Sequence, residues 1–319
     1  MDNLNEKEKL PFKHTSVLLD ETIKNVFTKP EGIYVDCTLG GAGHSLELVR
    51  FLNNNSRLIG IDQDQEALAK AKIVLKDAKC KLDFVHDNFQ NIDKILDFLN
   101  IEKIDGIIFD LGVSSYQLDN PERGFSYMKD APLDMRMNSK NKLSAFDVVN
   151  KYTEETLTNI FYKYGEEKFS KRIANFIVNA RSEKPINTTF ELTEIIKNAI
   201  PAKMRRTGPH PAKRTFQAIR IEVNNELNIL SETFIKAVNR LNTKGRIAII
   251  TFHSLEDKIA KQTFKELATS CICPKSFPIC TCNQKAEIKI LGKPIIPTDT
   301  ELNENHRARS AKLRVAEKI

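Results

Sequence analysis

Between residues 33 and 110 the chain keeps switching its period. Short, β-branched and apolar runs at 33–37, 57–61, 82–86 and 104–110 are separated by stretches at 45–52, 65–75 and 91–99 with apolar residues at helical spacing. Strands this apolar are buried on both faces. Linking them through helices predicts an α/β fold built on a parallel, doubly wound sheet. Ligands of such sheets gather at the carboxyl ends of the strands. Those ends carry Asp36, Asp62, Asp87-Asn88-Phe89 and Asp110.

The first strand runs into Thr38-Leu39-Gly40-Gly41-Ala42-Gly43-His44-Ser45, a glycine-rich turn that leaves backbone bare against a ligand. Asp62 ends the second strand about twenty residues beyond Gly43, where nucleotide-binding βαβ units place the acid that takes ribose hydroxyls. Gly41 and Gly43 supply the first two glycines of a dinucleotide fingerprint, but the third position is Leu46. Asp36, just before the turn, would repel a pyrophosphate and attract an ammonium group. S-adenosylmethionine carries an amine, a sulfonium and a ribose, and no phosphate. The turn therefore fits that cofactor better than NAD, with Asp36, Gly41, Gly43 and Asp62 as candidate contacts. Phe89 offers a face for the adenine, or else belongs to the core.

The run 104–110 ends in Asp110 and continues Leu111-Gly112-Val113-Ser114-Ser115. Methyltransferases acting on exocyclic amines usually place an acid or amide here, followed by two prolines and an aromatic; this chain keeps the acid and lacks the prolines. An exocyclic amine is a poor nucleophile, because its lone pair is conjugated with the ring. It needs acceptors on its N–H bonds and a close methyl donor. Asp110 is the first candidate, against the plainer reading of a strand-end cap. His253, ending a strand at 246–252, is the second; a single strand-end histidine is more often structural.

The alternation stops near Arg123, and 123–208 reads as helix only. The expected organisation is a first core part at 1–122, a helical insert at 123–208 as the RNA-recognition domain, and a second core part at 209–319. The insert ends in a segment holding Lys203, Arg205, Arg206, His210, Lys213 and Arg214 and no acid. With Arg307 and Arg309 these are candidate phosphate contacts in a chain of net charge +7. A stripe from Phe216 to Leu241, stopped by Gly245, predicts one long helix. Residues 287–291 and the segment after Arg309 predict a closing antiparallel pair. Cys271-x-Cys273 and Cys280-x-Cys282 read as a reduced loop, with structural zinc as the alternative; no catalytic metal is expected. The polar N-terminus lacks the apolar core of a signal peptide, and no run approaches membrane-spanning length, so a cytoplasmic protein is expected.

Several of these stretches together resemble the bacterial ribosomal RNA small subunit methyltransferase H family. They are His14-Thr15-Ser16-Val17-Leu18-Leu19-Asp20-Glu21, the 36–45 turn, Asp110-Leu111-Gly112-Val113-Ser114-Ser115, Arg123-Gly124-Phe125-Ser126 and Pro132-Leu133-Asp134-Met135-Arg136-Met137. His210-Pro211-Ala212, Arg214-Thr215-Phe216-Gln217, Phe252-His253-Ser254-Leu255-Glu256-Asp257 and 307–317 complete the set. The resemblance implies a class I S-adenosylmethionine-dependent methyltransferase core with an inserted helical domain. It implies methylation of the exocyclic N4 of a cytidine in 16S rRNA, at the decoding centre of the small ribosomal subunit; separately, a monomer or homodimer is expected. It also implies cofactor contacts at Ala42, Gly43, His44, Asp62, Phe89, Asp110 and Gln117. Tyr116 departs from a proline common in the family, and Lys213 varies the His-Pro-Ala motif. The rivals are an NAD-dependent dehydrogenase and a non-catalytic ribosome-assembly RNA-binding factor. Leu46 and Asp36 argue against the first, the intact cofactor turn against the second.

Overall fold

A computed structural model describes residues 16–206, 208–273, 281–282 and 284–319. Its centre is a seven-stranded sheet of β1 (Ile33–Asp36), β2 (Arg57–Asp62), β3 (Lys81–His86), β4 (Ile104–Asp110), β5 (Leu241–Thr251), β6 (Ile288–Ile290) and β7 (Lys312–Lys318). The strand order is β3-β2-β1-β4-β5-β7-β6. The first five strands are parallel, and β7 runs antiparallel between β5 and β6. This is the doubly wound class I methyltransferase sheet that the alternation and the resemblance lead one to expect. The order reverses at β1, whose neighbours are β2 and β4, so a crevice opens at their carboxyl ends.

Alternate residues of the strands feed two cores. Val35, Ile107, Phe109 and Ile249 face one side, and Tyr34, Ile108, Ala248 and Ile250 the other. The second side is covered by α1 (Leu19–Val26), α2 (Gly43–Leu48) and α3 (Gln65–Val74). The first is covered by α4 (Ile92–Phe98) and by helices that lie between β4 and β5 in sequence.

After α5 (Ser115–Asp119) those helices are α6 (Ala145–Lys151), α7 (Glu154–Gly165), α8 (Ser170–Glu183), α9 (Thr189–Ala199) and α10 (Ala202–Arg205). They are followed by α11 (Lys213–Asn224) and α12 (Leu230–Asn239). Local chemistry sets their starts: Ser144 and Thr188 form capping boxes with Asp147 and Glu191, and Thr153 caps α7. Ile173, Ile177, Leu192 and Ile196 of these helices lie in one continuous apolar cluster with Ile107 and Ile249 of the sheet. The chain closes with α13 (Ser254–Leu267) and α14 (Asp299–Glu304). No described helix is long and apolar enough to cross a membrane.

Two local expectations need correction. The stripe from Phe216 to Leu241 is two helices, because Asn225 adopts a left-handed conformation with φ 50°. Asn224 beside it spends its amide on loop backbone, accepting from Met137 N–H (2.8 Å) and donating to Met135 O (2.8 Å). Gly245 stops no helix; it sits inside β5, which begins at Leu241 and shifts register against β4 between Ile104 and Gly106. At the start of the chain, α1 has no side-chain cap, its N-cap being Leu18 with φ 51°.

Candidate active site

A cavity of about 580 Å³ opens at the carboxyl ends of β1, β2 and β4. Its floor is the turn after β1, with Thr38, Gly40, Gly41, Gly43 and His44 in the lining. The turn is seated from below by Leu39, which is 3% exposed. A Cβ on Gly60 of β2 would come within 2.6 Å of the Leu39 methyl groups, so only glycine lets the turn settle this deep.

Asp36 is corrected by the structure. Its side chain does not line the cavity; it is 2% exposed and is spent on the turn itself. Oδ1 accepts Thr38 N–H at 3.1 Å and Oδ2 accepts the Ser45 hydroxyl at 2.7 Å. Burial raises its pKa, against the pull of His44 and those hydrogen bonds. Asp36 therefore shapes the turn and offers no free oxygen to an ammonium group.

Asp62 does line the cavity. Its Oδ2 accepts Gly40 N–H (2.8 Å) and its Oδ1 accepts Asp64 N–H (2.8 Å), which fixes the carboxylate plane beside the turn. Burial pushes its pKa to about 6 in spite of these bonds. Behind it, Asp64 caps α3 by accepting Glu66 N–H. Asp64 Oδ2 also accepts from Gln117 Nε2 (2.9 Å) and from Arg123 Nη1 (2.8 Å). Gln117 lines the cavity, but its amide is engaged: Oε1 accepts Ser114 N–H in the capping box of α5. Arg123 reaches on to the carbonyls of Arg136 and Met137, both at 3.0 Å. This clamp ties the loop after β4 to the start of α3.

Asp110 sits on the opposite wall with its side chain 28% exposed. Its backbone N–H donates to Thr38 Oγ1 at 2.6 Å. Its Oδ2 faces His44 Nδ1 at 3.7 Å, while His44 Nε2 donates to Val17 O at 3.0 Å. Oδ1 is buried with no hydrogen-bond partner among the described residues. Burial raises the Asp110 pKa to about 6; His44 pulls it down, and Asp36 and Glu256 push it up. Phe89 lines the cavity while its ring stands edge-on to Phe109 at 5.7 Å, so the side chain is shared between the core and the cavity wall.

The far wall is charged. Arg220 makes a two-pronged pair with Glu226 (2.9 and 2.8 Å), and His253 Nε2 lies 3.0 Å from Glu256 Oε1. That last contact is an electrostatic pair and not a well-formed hydrogen bond, since Nε2 has no partner of hydrogen-bonding geometry. His253 Nδ1 accepts Glu256 N–H as the N-cap of α13. The histidine lines the cavity but is held by its own helix.

The basic residues divide. Lys213, Arg307 and Arg309 line the cavity mouth, with Arg307 paired to Asp119 at 2.6 Å. Lys203, Arg205 and Arg206 are exposed in and just after α10. Arg214 Nη1 donates to Glu166 O. His210 stacks on Tyr127 at 4.6 Å, and burial, with Lys197 nearby, holds its pKa below the usual histidine range. It offers a flat ring and not a cation. Ala42 precedes α2 with φ 62°, buried behind the turn. Cys280 lies outside the described residues.

Sequence reasoning passed over Thr38, Asp64, Arg220 and Glu226. Only Asp64 carried a signal, a helix-capping acid at the start of the 65–75 run. The other three are recognised only once neighbouring elements are packed together.

The sequence matches the profile of the MraW methylase family over residues 11–319. A Clostridium botulinum protein (strain Loch Maree / Type A3) named Ribosomal RNA small subunit methyltransferase H is 61% identical over 311 residues, 97% of this chain and 100% of that protein. Its namesake from Clostridioides difficile (strain 630) is 57% identical over the same shares. Among solved structures, an rRNA methylase from Streptococcus thermophilus overlaps 94% of this chain and 93% of its own, with TM-score 0.43 and 13% identity.

Proposed function

The chain belongs to the MraW methylase family, and from that premise we propose that it is a small-subunit rRNA methyltransferase. The acceptor is the exocyclic N4 of a cytidine in 16S rRNA, at the decoding centre, and the enzyme works in the cytoplasm. The cavity has the size of a cofactor-plus-base site, and its glycine-rich floor beside Asp62 suits an adenosyl ligand. When bound, S-adenosylmethionine would supply a methyl group already activated on a sulfonium.

The observation that carries the amine reading is the Asp110 carboxylate in the cavity wall: its side chain is 28% exposed and no described residue gives it a well-formed hydrogen bond. Such a carboxylate is available to a ligand N–H, and a hydrogen bond to a charged group contributes about 1.5–3 kcal/mol. Asp110 holds one N4 hydrogen and thereby aims the nitrogen at the methyl donor. The Asp110 carboxylate, whose pKa of about 6 suits it to take and release a proton near neutral pH, would accept the amine proton as the methyl leaves the sulfonium for nitrogen and the neutral thioether departs. Asp62 accepts the ribose hydroxyls, and Phe89 flanks the adenine. The cytosine enters extruded from its stack, past Lys213 and Arg309, which meet the backbone phosphates.

The test is transfer of labelled methyl from S-adenosylmethionine to small subunits from a strain lacking this activity, followed by nucleoside mass spectrometry. Label in N4-methylcytidine supports the assignment; label in another nucleoside, or none, overturns it.

A further inference from the structure

Cys271 and Cys273 follow the end of α13, and Cys282 precedes β6. The neck of the loop they share is closed by two hydrogen bonds, Glu287 N–H to Leu267 O (2.8 Å) and Gln284 Nε2 to Thr269 O (3.0 Å). Beyond the neck, none of the described side chains of 269–286 is buried. A crosslink is one way such exposed chain acquires a fixed shape.

The thiols meet that need. The Sγ atoms of Cys271, Cys273 and Cys282 all lie within 4.8 Å of one another. Cys271 Sγ and Cys282 Sγ are 3.8 Å apart, far beyond a disulfide bond of about 2.05 Å. With zinc–sulfur bonds of about 2.3 Å, the edge of a tetrahedral thiolate site is about 3.8 Å. Backbone donors already point at the sulfurs: Ile272 N–H to Cys282 Sγ (3.5 Å) and Thr281 N–H to Cys273 Sγ (3.4 Å). Such outer donors orient and stabilise metal-bound thiolates.

We propose that Cys271, Cys273 and Cys282 bind one zinc ion that fixes the loop between α13 and β6. Soft thiolates select zinc over magnesium or calcium. The fourth corner of the tetrahedron belongs to a donor outside this trio. The role is structural, because α13 with its 14 residues carries the chain about 21 Å away from His253 and the cavity.

The experiment uses the full chain, produced without a metal-chelating tag in zinc-supplemented medium. Elemental analysis should find one zinc per chain. Cobalt(II) exchanged into the site should show thiolate-to-metal charge-transfer absorption, and the Cys271→Ser/Cys282→Ser double variant should lose both metal and absorption while keeping methyl transfer. Should that variant not fold, alkylation of the unaltered protein decides: the three thiols should be protected until a strong chelator is added. Trace zinc only, or equal alkylation with and without chelator, overturns the proposal.

Discussion

Thr38 and Asp110 are joined across adjacent strands: the hydroxyl oxygen of Thr38 accepts the backbone N–H of Asp110 at 2.6 Å. The glycine-rich turn and the carboxylate proposed to meet the amine are thereby set at one fixed separation. Thr38→Val leaves that N–H without its acceptor, at a cost of about 1–3 kcal/mol, and frees the acid to drift. Methyl transfer at saturating substrates should fall at least about tenfold while cofactor affinity changes little, and Thr38→Ser should restore it. Equal turnover in the Val and Ser variants would remove Thr38 as a positioning residue.

Asp110→Ala removes the acceptor altogether. Turnover should fall by about 10²–10⁴-fold, with an unchanged circular dichroism spectrum and a cofactor Kd within a few-fold of the parent. Near-parental turnover would take Asp110 out of the chemistry.

The two raised carboxylates set the pH behaviour. Asp62 titrates near 6 in the fold against 3.8 as its ordinary value, so it loses its charge as the pH falls through 6. Calorimetry should show cofactor affinity weakening from pH 7 to pH 5, as ribose hydroxyls lose an ionised acceptor. The fold itself takes up this proton before the unfolded chain does. As the pH falls over that same interval, the group therefore adds to the stability of the empty protein. Affinity that holds constant down to pH 5 would contradict the role given to Asp62.

Arg123 bridges Asp64 and two loop carbonyls with one planar guanidinium. A lysine cannot span all three. Arg123→Lys should lower stability and raise the cofactor KM together, and Arg123→Ala, which leaves the buried Asp64 with neutral donors only, should cost about 3 kcal/mol in denaturant unfolding. Gly124 next to it has φ 67°, and a Cβ there would lie 2.2 Å from Pro132 O. Gly124→Ala should fail in the same way as Arg123→Ala.

Arg205 and Arg206 are exposed and lie apart from the reacting groups. Their double alanine variant should bind small subunits more weakly, with the salt slope reduced by about 0.7–0.9 for each phosphate no longer neutralised. Turnover at saturating subunit should be unchanged. An unaltered slope would place the RNA elsewhere.

Much of this was legible in the residues. The fourth strand falls at 104–110 as its apolar run predicts, and the capping chemistry of Thr153 and Thr188 starts α7 and α9. Such features are local, written in a few adjacent side chains. What escaped depends on partners distant in sequence. A stripe of apolar residues continues through Asn225 without a break, yet Asn224 is drawn off to serve the backbone of Met135 and Met137. Asp36 stands at the right strand end to greet a ligand, but Thr38 and Ser45 turn it inward. Arg220 and Glu226 look like ordinary charges of a helix and its following loop until the fold brings Glu256 and His253 near them.

The placement of β7 between β5 and β6 has a bearing on how the protein is born. This ribbon is translated after every other strand, yet it separates two of them, and the His306–Ser310 turn leading into it helps wall the cavity. Until residues 306–318 clear the exit tunnel, β5 presents a raw edge and β6 has nowhere to attach. A nascent chain can thus build its cofactor turn early and still be incapable of enclosing a guest, so competence arrives late in synthesis.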